Sequence, residues 1–195
     1  MFLLLWGLAF GHREPADYVD ALVKQKTEEL QVLVVKDSLE RAVDVGLNFS
    51  KTVVAHPNLY YEIALLYNKE GRLTEALRYY SKALDMEPTL LAALYDRAEI
   101  YLVREEYDQA YNDLIQAKDV GHWVIHLRLA EVAAHRGDLD ALESSLLRSL
   151  ELGLDLRSLV SLGWKKWAND SRLQARLQRI ILLYGGEEIW NQLIQ

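Results

Sequence analysis

Three alanines, Ala42, Ala76 and Ala110, stand 34 residues apart, each in the same local setting: Leu39-Glu-Arg-Ala42-Val, Leu73-Thr-Glu-Ala76-Leu and Tyr107-Asp-Gln-Ala110-Tyr. A fixed period of this length marks a chain built from repeated supersecondary units, each too small to bury its own apolar face. A fourth copy, Gly137-Asp-Leu-Asp-Ala-Leu142, follows 32 residues later with Leu in the place of Ala.

Within the units the signal is helical. From Pro15 onward apolar residues recur at three- and four-residue spacing, with no sustained alternation. Breaks at Asp37-Ser38, His56-Pro57, Gly71, Glu87-Pro88, Gly121, Gly137, Gly153, Asn169-Asp170-Ser171 and Gly185-Gly186 cut the pattern into lengths that suit helical hairpins. The 10 Gly and 3 Pro are too few for a turn-rich β fold, and the absence of Cys excludes disulfides, thiolate metal sites and cysteine nucleophiles.

The best copy spans residues 57–90 and reads Tyr60, Ile63, Ala64, Tyr67, Gly71, Leu73, Ala76, Tyr80, Ala83, Pro88. It resembles the tetratricopeptide repeat (TPR), in which aromatic, Leu-Gly, Tyr, Ala, aromatic, Ala and Pro recur at set offsets. Residues 91–122 keep Leu94, Ala98, Tyr101, Tyr107, Ala110, Leu114 and Ala117, and residues 123–156 keep Leu129, Ala130, Gly137, Leu139, Leu146 and Leu150. The resemblance implies an all-α fold, a right-handed superhelix (α-solenoid) of antiparallel helical hairpins with a closing C-terminal helix. The expected organisation is an apolar segment at 1–14, a degenerate first hairpin at 15–56, repeats at 57–90, 91–122 and 123–156, and a helical cap at 157–195, read also as a worn repeat.

The resemblance also implies a function. The first helix of each repeat lines a concave groove, and the aligned offsets select Tyr61, Glu62 and Leu65, then Tyr95, Asp96, Glu99 and Leu102, then Arg128 and Glu131. Leu127 and Ala134 fall at lining offsets too. Tyr61 and Tyr95, 34 residues apart, are expected to form an aromatic ladder flanked by carboxylates. That chemistry suits a protein or peptide partner with apolar anchors and Lys or Arg between them. An acidic tail would meet repulsion. Arg97 is expected to pair with Asp113 inside one repeat.

No residues suggest catalysis or a cofactor. There is no glycine-rich phosphate loop and no nucleophile elbow. His122 and His126 have metal-ligand spacing, but a helix start and a packed position are the better expectation. The expected function is therefore a non-catalytic adaptor or assembly factor, with self-assembly as the alternative.

A net charge of −7 argues against non-specific nucleic-acid binding by the whole molecule. Residues 57–120 hold 7 Lys/Arg against 12 Asp/Glu, whereas residues 157–195 hold 6 against 3. In that basic region Arg172, Arg176 and Arg179 are expected on one helix face, a secondary candidate for an anionic partner such as RNA or a membrane surface. Trp164 and Trp167, three apart, read as C-terminal core or as an exposed aromatic patch. Residues 2–10 form an uncharged apolar run, about half the ~20 residues of a membrane span. It fits the h-region of a signal peptide cleaved after Gly11, which would place the protein in the periplasm or outside the cell; without cleavage the expectation is cytoplasmic.

Overall fold

The computed structural model describes residues 15–35, 39–52 and 55–195, which contain helices and no strand. The apolar run 2–10 with its signal-peptide reading and the break at Asp37-Ser38 lie outside the described residues. The chain divides into two compact units, Met1–Ala93 and Leu94–Gln195.

The first unit is two hairpins, α1 (Pro15–Val35) with α2 (Leu39–Thr52) and α3 (Pro57–Lys69) with α4 (Leu73–Met86). Helix α5 (Leu91–Val103) starts at its end. His56 and Pro57 begin α3: the imidazole Nδ1 accepts from the Asn58 amide, and Pro57 enters the first turn, where its missing N–H costs nothing. Helix α4 stops before Glu87-Pro88, because proline disfavours helical backbone in the residue before it. The core joins Val23 and Leu30 of α1, Ala42 and Val43 of α2, Leu59, Ile63 and Tyr67 of α3, and Ala76, Tyr80 and Ala83 of α4. Gly46 makes the α2 contact possible. A Cβ there would lie 3.0 Å from Ile63 and 3.3 Å from Leu30.

The second unit continues α5 into α6 (Tyr107–Ala117), a 3₁₀ turn (Lys118–Val120), and the hairpin α7 (Trp123–Arg136) with α8 (Leu139–Glu151). Four short helices follow: α9 (Arg157–Ser161), α10 (Lys165–Ala168), α11 (Gln174–Leu183) and α12 (Glu187–Ile194). They share one core with the α7–α8 hairpin, in which Leu127, Leu142 and Leu146 meet Leu159, Trp164, Leu177 and Trp190. Trp164 and Trp167 are buried at 1% and 6% exposure, so the exposed-patch reading is wrong and the core reading right. Leu127 and Ala134 are fully buried as well, so they face this core and line no open surface.

The turns inside the hairpins repeat one geometry. Gly71, Glu105 and Gly137 occupy equivalent positions with φ of 71°, 60° and 71°. The next amide reaches back to a carbonyl five residues earlier: Arg72 to Tyr67 at 2.9 Å, Glu106 to Tyr101 at 2.8 Å, Asp138 to Ala133 at 2.9 Å. This is the Schellman end, which needs a left-handed residue and favours glycine. Glu105 is the one non-glycine residue with positive φ among the described residues.

Candidate partner-binding faces

The residues expected to line a groove fall in both units. In the first unit a cleft of about 640 Å³ opens between α1 and α3. Asp20, Val23, Lys24 and Thr27 line it from α1, at the i, i+3, i+4, i+7 spacing of one helix face. Asn58, Tyr61 and Glu62 line it from α3, and Glu87, Leu90 and Ala92 close one side. Tyr61 and Glu62 thus border this cleft. Leu65 is half-buried and outside the cleft lining.

Two side-chain contacts hold the cleft's walls together. His56 Nε2 lies 3.1 Å from Asp20 Oδ1, while its Nδ1 caps α3; that division of roles puts the proton on Nε2, which donates to the carboxylate. Gln31, one turn beyond Thr27 on the same face of α1, hydrogen-bonds Glu62. Burial pushes the Glu62 carboxyl above its ordinary value, against the opposing effects of Gln31 and the Lys69 charge.

In the second unit the corresponding residues form a polar chain. Arg128 donates from Nε to Glu99 Oε1 at 2.6 Å and from Nη2 to Glu99 Oε2 at 3.0 Å, a bidentate pair between α5 and α7. Its Nη1 donates to Glu131 Oε2 at 2.8 Å. The other Glu131 oxygen accepts from Trp164 Nε1 at 3.2 Å. Tyr95 sits beside Glu99 and Arg128 in the same network. Burial raises the Glu99 carboxyl despite Arg128. Burial also opposes the Arg128 charge, but Glu131 and Glu99 overcome it and hold the guanidinium more firmly charged than usual. Asp96 and Leu102, on α5, are half-buried.

Arg97 and Asp113 pair as expected, at 2.8 and 2.7 Å between α5 and α6, with Asp113 only 3% exposed. The basic C-terminal residues are differently engaged from their sequence reading. Arg172 precedes α11 and so does not share its face; it bonds Asp170 at 2.7 Å and holds that carboxyl down to about 2. Arg176 bridges Asp140 and Glu143 of α8, and Arg179 pairs with the same Glu143. Arg176 and Arg179 fasten α11 to α8. His122 caps α7 through Nδ1, and His126 is half-buried. Among the described residues no group of three His, Asp or Glu is placed to hold a metal ion. No described helix is long and apolar enough to cross a membrane.

Residues 57–90 match the tetratricopeptide repeat family. The chain carries a tetratricopeptide repeat. The surrounding TPR-like hairpins are shared with a solved TPR protein from Parabacteroides merdae, at a TM-score of 0.68 and 18% identity over 88% of this chain and 70% of that one. By sequence, 53 residues are 43% identical to the human DnaJ homolog subfamily C member 3, and 76 residues are 34% identical to the Photosystem I assembly protein Ycf3 of Cyanophora paradoxa. Those matches cover 27% and 36% of this chain. The chain spans 10% of the DnaJ homolog and 44% of Ycf3.

Sequence reasoning missed Asp20, Gln31 and His56 at the cleft and Trp164 in the Glu131 network. His56 had a legible signal: like His122, it stands two residues before an amide at a helix start. The other three left none, because their roles depend on which helix faces which.

Proposed function

We propose that this protein is a non-catalytic adaptor or assembly factor, and that the cleft between α1 and α3 holds a segment of a partner protein with apolar anchors and basic residues. The carrying observation is the cleft itself. It is open, about 640 Å³, and lined by an aromatic ring, apolar side chains and several carboxylates from α1, α3 and the segment after α4. A peptide can bury Leu- or Val-sized anchors against Tyr61, Leu90 and Val23, and aromatic walls supply contact area at low entropic cost. The TPR fold supports a protein-interaction role, and the assembly function in the name of Ycf3 is consistent with it.

The test is affinity capture from native extract with the wild-type chain and Tyr61→Ala, read by mass spectrometry and followed by titration of the purified partner. Tyr61→Ala should weaken binding by about 1–3 kcal/mol, the range for a truncated anchor. Its melting temperature should fall less than that of Tyr67→Ala, because Tyr67 is 6% exposed in the core. Full retention of the partner by Tyr61→Ala would refute the cleft as the binding face.

A further inference from the structure

Half-buried and buried carboxylates in this protein are generally matched by a cation. Asp113 has Arg97, Glu131 has Arg128, and Glu143 has Arg176 and Arg179. Two carboxylates of the cleft are different: Glu62 and Glu87 are half-buried, and among the described residues neither forms an ion pair with a Lys or Arg. Glu62 has the Gln31 amide as hydrogen-bond partner, and Lys69 acts on it only through space. A carboxylate shielded from water without a counter-ion carries a desolvation cost that an incoming cation would relieve.

The rest of the cleft favours the same ligand. Its carboxylates are Asp20 on α1, Glu62 on α3 and Glu87 after α4; Lys24 on α1 is the one ammonium in the lining. Asp20 is already bonded to His56. Tyr61 precedes Glu62 on α3 and gives a ring against which the methylene stem of a long basic side chain can lie. Leu90 and Ala92 supply an apolar wall.

We infer that Glu62 is the cation anchor of the cleft: it receives the guanidinium or ammonium group of one Arg or Lys in a bound peptide, whose neighbouring apolar side chains rest on Tyr61 and Leu90. This rests on the adaptor reading above and assigns the specificity-determining residue of that site. Gln31 is a positioning residue that holds the carboxylate toward α1. The step is ion pairing alone. Burial raises the Glu62 carboxyl above its ordinary value and a neighbouring cation would lower it again, so binding should be coupled to proton release where that carboxyl titrates.

The probe is a random peptide library displayed on phage, selected against the full chain and eluted with nothing but excess protein. Selected peptides are synthesised and titrated against wild type, Tyr61→Ala and Glu62→Gln. The expected result is enrichment of Arg or Lys beside apolar residues. Glu62→Gln, or citrulline in place of the peptide's Arg, should each cost about tenfold to a hundredfold in affinity, as for a lost hydrogen bond to a charged group. Calorimetry near pH 5 in buffers of different ionisation enthalpy should show proton release with wild type and none with Glu62→Gln. The variant should melt no lower than wild type, since it removes a shielded charge. Peptides that need Tyr61 but bind Glu62→Gln equally well would overturn the anchor and leave the adaptor reading standing. Failure of every selected peptide to depend on Tyr61 would overturn both.

Discussion

Arg128 on α7 holds both oxygens of Glu99 on α5 with its Nε and Nη2, 29 residues apart in sequence. The same guanidinium reaches Glu131 one turn along its own helix. A single cation thus compensates two half-buried carboxylates. Residues that a groove alignment treats as three separate ligand contacts are one internal unit, and their charge is largely consumed within the protein.

Arg128→Met should therefore destabilise the second unit by about 2–4 kcal/mol, because it leaves two carboxylates facing each other without a counter-ion. Denaturant unfolding measures this. Adding Glu99→Gln to the variant should recover part of the loss, and a purely additive double variant would show that the pairing is not coupled.

Glu105 adopts the left-handed turn conformation that glycine holds at Gly71 and Gly137. Glu105→Gly should raise stability by about 1 kcal/mol, since a side chain in that region is strained. The reverse changes, Gly71→Ala and Gly137→Ala, should each lower it by a similar amount. The urea midpoints of the three variants decide the matter.

Acid should weaken the fold through histidine. Burial lowers the affinity of His126 and His135 for protons below their ordinary 6.5, and Lys166 adds to the effect at His135. Their contribution is present above 6.5 and is lost as pH falls through the lower folded values. Glu62 and Glu99 act oppositely: raised above 4.5, they favour the folded state as pH drops through those raised values. The melting temperature should fall as pH drops from the ordinary histidine value of 6.5 toward the lowered folded values, and His126→Gln with His135→Gln should flatten that fall. An unchanged slope in the double variant would assign it elsewhere.

Removal of residues 156–195 should expose Leu142, Leu146 and the rest of the apolar side of the α7–α8 hairpin, now covered by Leu159, Trp164, Leu177 and Trp190. The truncated chain should aggregate or lose helicity, as stacked hairpins do without their terminal cap. Light scattering and circular dichroism report both. A monomer with undiminished helicity and melting temperature would show that the C-terminal helices are an independent appendage.

The 34-residue spacing of Ala42, Ala76 and Ala110, the turn glycines and the apolar periodicity were enough to specify hairpins of helices, because each of these is a local property of the backbone and of one helix face. That Tyr61 and Glu62 are neighbours on α3 was legible for the same reason. What covers or neutralises those faces was not. Asp20 and Gln31 meet α3, Glu99 meets Arg128, and Arg176 and Arg179 are taken up by Glu143 only because of the distance and rotation between packed helices. Helical periodicity fixes which residues share a face and leaves free which face they meet, so the charge available to a partner is decided by the tertiary packing.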